Sequence, residues 1–259
     1  MIKKSNKINK ILNLSFLFVL SFYFSVNKLN PAHGQTAIPR EVIELIASID
    51  IANNNKDIET LQEFISPQFT NPDGLNNESL LQSIKKLWQK YPNLRYTTVI
   101  DSTEQNNEQL IVNITTQIEG SYNDGTMTFN LASEVSSRQV FENNQLISQE
   151  IIREKTRVTS GENPPQITVQ LPEKARFGQQ FDFDAIVDEP IDNNLLLGGV
   201  REDRVNSTLF LNPEPLDLDA LTAGGIFKRV TMGSGDRWYS AVFIRDDGMT
   251  LITQRVREE

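Results

Sequence analysis

Between Leu94 and Val158 the chain alternates apolar and polar residues in four long runs, and no other feature constrains its fold as strongly. The runs are Leu94–Thr103, Glu108–Gly120, Thr126–Phe141 and Gln145–Val158, joined at Gln105-Asn106-Asn107, Asn123-Asp124-Gly125 and Asn143-Asn144. Asn, Asp and Gly tolerate the positive backbone φ of a tight hairpin, so the runs read as an antiparallel meander. In the second run Leu110, Val112, Ile114 and Ile118 share one face, opposite Asn113, Gln117 and Glu119. In the third, Met127, Phe129, Leu131 and Val135 oppose Thr128, Asn130 and Glu134. A sheet with one apolar face must bury it against something.

Three helices precede the sheet and supply that cover. Pro39 suits a first helical turn, and Glu41 and Glu44 favour its positive end. Val42, Leu45, Ile46 and Ile49 then recur at helical spacing until Asn53-Asn54-Asn55. Asp57 caps a short second helix carrying Ile58, Leu61 and Phe64, and Pro67 with Asn71-Pro72-Asp73-Gly74 ends that unit. Asn77 caps a third, with Leu80, Leu81, Ile84, Leu87 and Trp88 on one side, closed by Pro92.

Gly161-Glu162-Asn163-Pro164-Pro165 interrupts the pattern, because two prolines favour an extended linker. The chain therefore divides into residues 35–160, a linker at 161–165 and a second unit at 166–259. The second unit reads as short strands, among them Ile167–Leu171, Gln180–Val187, Trp238–Arg245 and Met249–Arg257, the last two flanking the turn Asp246-Asp247-Gly248. The expected class is α+β: three helices on a curved four-stranded antiparallel sheet, followed by a small all-β, immunoglobulin-like sandwich.

The order helix, short helix, helix, long strands resembles the nuclear transport factor 2-like (SnoaL-like, cone-shaped α+β) superfamily. The stretch carrying most of the likeness is Ile49-Asp50-Ile51-Ala52-Asn53-Asn54-Asn55-Lys56-Asp57-Ile58, leading to Leu61, Phe64 and Ser66-Pro67-Gln68-Phe69. The resemblance is one of pattern and covers the first unit only. Both units together also resemble uncharacterised exported proteins of cyanobacteria, a likeness that carries no biochemical role. The superfamily includes isomerases, dehydratases, cyclases, transport adaptors and proteins without enzyme activity, so fold alone does not assign a function. Its isomerases and dehydratases use Tyr with Asp, or Asp and His; here Glu150 would have to replace the customary Asp.

The N-terminus reads as a secretory signal over residues 1–34. Lys3, Lys4, Lys7 and Lys10 precede the 16-residue apolar run Ile11–Val26, and Ala32-His33-Gly34 has the small residues of a cleavage site. The run is shorter than the roughly 20 residues of a spanning helix, the alternative being an uncleaved anchor. Cleavage would remove five lysines (Lys3, Lys4, Lys7, Lys10, Lys28) and no acid, taking the formal charge from −9 to −14. So acidic a surface disfavours nucleic acid and anionic lipid, and the signal places the protein in the periplasm, thylakoid lumen or medium. There is no cysteine, and the single histidine, His33, falls within the signal. Thiol nucleophiles, disulfides, imidazole bases and Cys/His zinc sites are excluded from the mature chain.

In a cone-shaped fold the helices and the concave sheet face enclose a pocket, and polar residues on apolar strand faces are its candidate lining. These are Tyr96, Thr116, Ser133 and Glu150, with Trp88 and Tyr91 at the mouth. A desolvated carboxylate can move a proton while a phenol donates to an oxyanion; the bland reading is hydrogen-bonded core, with Glu150 in solvent. The outer sheet face would be solvated, covered by the second unit or paired in a homodimer. Asp182/Asp184, Asp217/Asp219 and Asp246-Asp247 match no calcium loop, and no metal or cofactor is expected. The function that follows is an exported, non-catalytic module binding a small apolar ligand or a protein partner. The alternative is a cofactor-independent isomerase or lyase using Glu150 and Tyr96.

Overall fold

A computed structural model describes residues 38–190, 195–212 and 215–259, so the lysine-rich leader lies outside the described residues. Helix α1, Arg40–Asn55, begins where the Pro39 carbonyl accepts from the amides of Val42 and Ile43, and stops at Lys56 in a left-handed conformation, φ 55°. Asp57 caps α2, Ile58–Glu63, by accepting from the Thr60 amide at 3.0 Å. Strand β1, Ile65–Thr70, leads to α3, Asn77–Lys90. The cap of α3 is Asn76, in a reciprocal box with Ser79, and not Asn77. Asn77 instead donates its side-chain amide to the carbonyls of Ile65 and Ser66, tying the helix to β1.

The meander follows as β2, Arg95–Asn106; β3, Gln109–Asn123; β4, Thr128–Glu142; and β5, Gln145–Gly161. Its turns sit where positive φ is cheapest, at Asn107, Gly125, Asn143 and Asn144. β1 is a strand the sequence reading did not foresee. It pairs parallel to β5, Ile65 opposite Leu146, at a sheet edge where the missing N–H of Pro67 is tolerated.

The second half comprises β6, Ile167–Gln170; β7, Lys174–Ala175; β8, Gln180–Val187; β9, Leu196–Arg204; α4, Ser207–Leu211; β10, Asp219–Leu221; β11, Gly225–Thr231; β12, Arg237–Ile244; and β13, Gly248–Glu258. It does not build a sandwich from two sheets of its own. β13 pairs antiparallel with the end of β5, from Gly248 opposite Gly161 to Gln254 opposite Lys155. One sheet therefore runs β10-β9-β12-β13-β5-β4-β3-β2 across both halves, and β11-β8-β6 forms a separate three-stranded layer. The cause is the length of β5, whose 17 residues offer a free edge that β13 satisfies.

Two cores result. Val42, Leu45, Leu87, Val112, Phe129 and Leu131 lie between helices and meander, joined by Val242, Met249 and Leu251 from β12 and β13. Tyr239, Ala241, Phe243, Ile252 and Val256 point the other way, against Phe181 and Phe183 of the three-stranded layer. β12 and β13 are thus apolar on both faces, which is why they lack the clean alternation of β3.

Candidate functional site

The concave face of the meander and α1 enclose a cavity of about 230 Å³. Pairing across the sheet sets the rows of that face: Thr98, Thr116, Val135 and Glu154 in one, Ile100, Ile114, Ser137 and Ile151 in the next. Asp50 of α1 is the carboxylate on its wall, and it is fully engaged, accepting from the Thr98 amide at 2.8 Å and from Thr98 Oγ1 at 2.7 Å. Thr98 and Thr116 share a hydroxyl contact of 3.1 Å. Tyr96 also lines the cavity; its hydroxyl accepts from Trp88 Nε1 at 3.1 Å, leaving its own proton to donate. Burial pushes the Tyr96 phenol well above its ordinary value, so it stays neutral. Gln139, 8 % exposed, also lines the cavity and brings a side-chain amide to it.

Of the six residues singled out from sequence, Tyr96 and Thr116 meet in this cavity. Ser133 is on the same sheet face, opposite Ile118, but sits fully buried in the core with an unpartnered hydroxyl. Trp88 is likewise core, held by Tyr96, and Tyr91 is buried edge-on to Tyr122 at 5.1 Å. Neither stands at a pocket mouth. Glu150 does not join them: it lies opposite Arg138, ion-pairs with Arg257, and borders a separate cleft with Asp73, Asp236 and Arg255. The reason is a bulge at Ile147, skipped between Ser148 opposite Val140 and Leu146 opposite Phe141. One extra residue reverses the facing of the strand. A second bulge at Ile152 restores it, so Glu154 is the β5 carboxylate on the concave face.

Glu154 belongs to a buried cluster that sequence reasoning missed. Arg255 of β13 donates Nη2 and Nη1 to Asp73 at 2.6 and 3.1 Å, Nη1 to Asp236 at 3.1 Å, and Nε to Glu154 at 2.9 Å. Trp238 Nε1 adds a bond to Glu154 at 2.8 Å. The side chains of Arg255, Asp73 and Glu154 are 2 %, 6 % and 3 % exposed. Burial pushes the Glu154 carboxyl up, against the pull of Arg255 and Trp238. Burial also opposes the charge of Arg255, but Glu154 and Asp73 outweigh it and hold the guanidinium protonated. Each donor atom of the cluster has a carboxylate acceptor, so the arrangement is that of a fastener between the halves. Asp73 reads as turn chemistry from sequence, and nothing local marks it as a partner for a residue so distant in the chain.

A second electrostatic feature lies at the end of α3. The Lys90 ammonium sits 5.6 and 5.2 Å from the ring centroids of Tyr91 and Tyr122, and burial brings its pKa down to about 8. The unfolded chain retains a value near 10.5. Between those pH values the unfolded state holds the proton that the native state has lost, so stability rises with pH in that window. In urea titrations from pH 8 to 9.5 the wild-type midpoint should rise relative to that of Lys90→Met, because the buried tyrosines, whose raised pKa lowers stability at higher pH, are common to both proteins. A wild-type midpoint that does not rise relative to the variant's would refute the assignment.

Residues 162–258 match the model of a domain of unknown function, DUF8623. No curated protein matches the sequence. Among solved structures the chain is similar to Bd1075 of Bdellovibrio bacteriovorus, at 23% identity over 43% of this chain, with TM-score 0.34. The chain spans only 39% of the length of Bd1075. It is similar also to a Nostoc punctiforme protein of unknown function with a cystatin-like fold (15% identity, 46% of this chain, 93% of that one, TM-score 0.35). A third is a putative SnoaL-like polyketide cyclase from Shewanella putrefaciens (13% identity, 44% of this chain, 89% of that one, TM-score 0.34). These partial overlaps carry no activity to this chain.

Proposed function

We propose that this chain is an exported, non-catalytic binding module whose concave cavity takes a small neutral molecule. The observation carrying this reading is the Gln139 side-chain amide, which lines the cavity beside a phenol with a proton to donate. A hydrogen bond between that amide and a ligand carbonyl or hydroxyl would contribute about 0.5–1.5 kcal/mol. Catalysis has no support in the same place, since Asp50 is occupied by Thr98 and Glu150 lies elsewhere. At about 230 Å³ the space is below the ~300–1,000 Å³ of sites for drug-sized ligands, so its occupant is smaller than those. Export rests on the lysine-rich start, the short apolar run and the small residues of Ala32-His33-Gly34 that suit a cleavage site.

Native mass spectrometry of the protein purified from its own host tests the reading. An added small mass that leaves on denaturation is expected. Tyr96→Phe and Gln139→Leu should each weaken retention of that molecule by roughly 3- to 10-fold, the worth of one hydrogen bond. A bare mass, or an adduct indifferent to both substitutions, would sink it.

A further inference from the structure

A second chamber, of about 140 Å³, lies beneath α3, and Ile151 contributes to its wall as well as to that of the concave cavity. Leu80, Ile84 and Leu87 of α3, Phe210 of α4 and Leu75 supply most of the remaining apolar surface. Each polar side chain at its edge makes at least one hydrogen bond. Asp73 and Glu154 hold Arg255, and Ser83 Oγ donates to the Ser79 carbonyl at 2.8 Å. Asn71 Oδ1 accepts from the Leu75 amide at 2.8 Å, and Gln149 Nε2 reaches Ser137 Oγ at 3.5 Å. A polar molecule entering here would give up its hydration with little to replace it. A compact apolar molecule gives up nothing, and an apolar cavity of ~150 Å³ is known to take one benzene ring.

We propose that this chamber is a second binding site, for a compact apolar molecule the size of a single ring. It differs in chemistry from the concave cavity, where the Gln139 amide and the Tyr96 hydroxyl offer hydrogen bonds to a polar ligand. It therefore stands or falls independently of what that cavity holds.

The test uses the whole chain with benzene as the probe. The thermal midpoint should rise with benzene concentration, by roughly 3–6 °C at ten times its dissociation constant, and benzoate at the same concentrations should leave it unmoved. Ile84→Phe fills the chamber and should abolish the rise. Because that substitution can itself disturb α3, xenon supplies an independent reading. A crystal pressurised with xenon should show a peak between Ile84 and Phe210. A midpoint indifferent to benzene, a rise that survives Ile84→Phe in a folded variant, or xenon found in the concave cavity alone would each overturn the proposal.

Discussion

Arg255→Ala is expected to lower the unfolding free energy by about 3–5 kcal/mol, because it leaves buried carboxylates without their cation. Arg255 reaches Asp73 in the β1–α3 connection, Glu154 on β5 and Asp236 just before β12, so one side chain joins both halves. The loss exceeds what any of its bonds contributes alone, since the remaining charges are desolvated and face one another. The deficit should depend on pH. With the cation removed, burial and mutual repulsion push the Glu154 carboxyl further up, so its folded pKa exceeds its unfolded value. The native variant then binds more protons than the unfolded one, and its stability increases as pH falls. Urea unfolding followed by Trp238 fluorescence should show the gap between variant and wild type narrowing on acidification. Replacing Arg255 and Glu154 together by methionine should cost less than Arg255→Ala, since it removes charge along with countercharge. A gap independent of pH, or under about 1 kcal/mol as for a surface pair, would show that the cluster is not the fastener described here.

Asn54→Ala should cost about 2 kcal/mol and make the protein self-associate. β2 is an edge strand of the large sheet, and strand edges with unpaired amides recruit other strands. The Asn54 side chain occupies that edge as a partner strand would: Nδ2 donates to the Tyr96 carbonyl at 2.9 Å and Oδ1 accepts from the Tyr96 amide at 2.8 Å. Asp50 continues the pattern at the Thr98 amide. Alanine forfeits two hydrogen bonds worth about 1 kcal/mol each and leaves Tyr96 open beside the exposed Val99. Sedimentation should show concentration-dependent oligomers of the variant, and adding Val99→Lys should suppress them by placing charge on the edge. A variant that loses stability but stays monomeric would confine the role of Asn54 to helix packing.

These two residues also mark where reading the sequence stops. Asn53-Asn54-Asn55 reads as a helix terminator, and α1 does end at Asn55. That Asn54 also closes a sheet edge depends on a strand that begins about forty residues later. Arg255 and Glu154 each look like an unremarkable polar position near a strand end. Their partnership exists because β13 lies against β5, a pairing with no local cue in either strand. Glu150 failed as a pocket residue for a related reason: period-two alternation is lost at a bulge, and the Ile147 bulge is visible only in the cross-strand register.

By itself the sequence determined what short-range chemistry controls. The helices, their Asp57 cap, the Asn and Gly hairpins and the inward facing of Tyr96 and Thr116 follow from periodicity and from turn residues that tolerate positive φ. The absence of cysteine, and of histidine beyond His33, sets bounds on the chemistry without any structure. Only the tertiary structure decided that the two halves share one sheet, that a parallel β1 borders β5, and which carboxylate faces the concave side. Those outcomes depend on edges and registers that meet across long chain separations. Their energies come from burying surface jointly, and no single segment carries them.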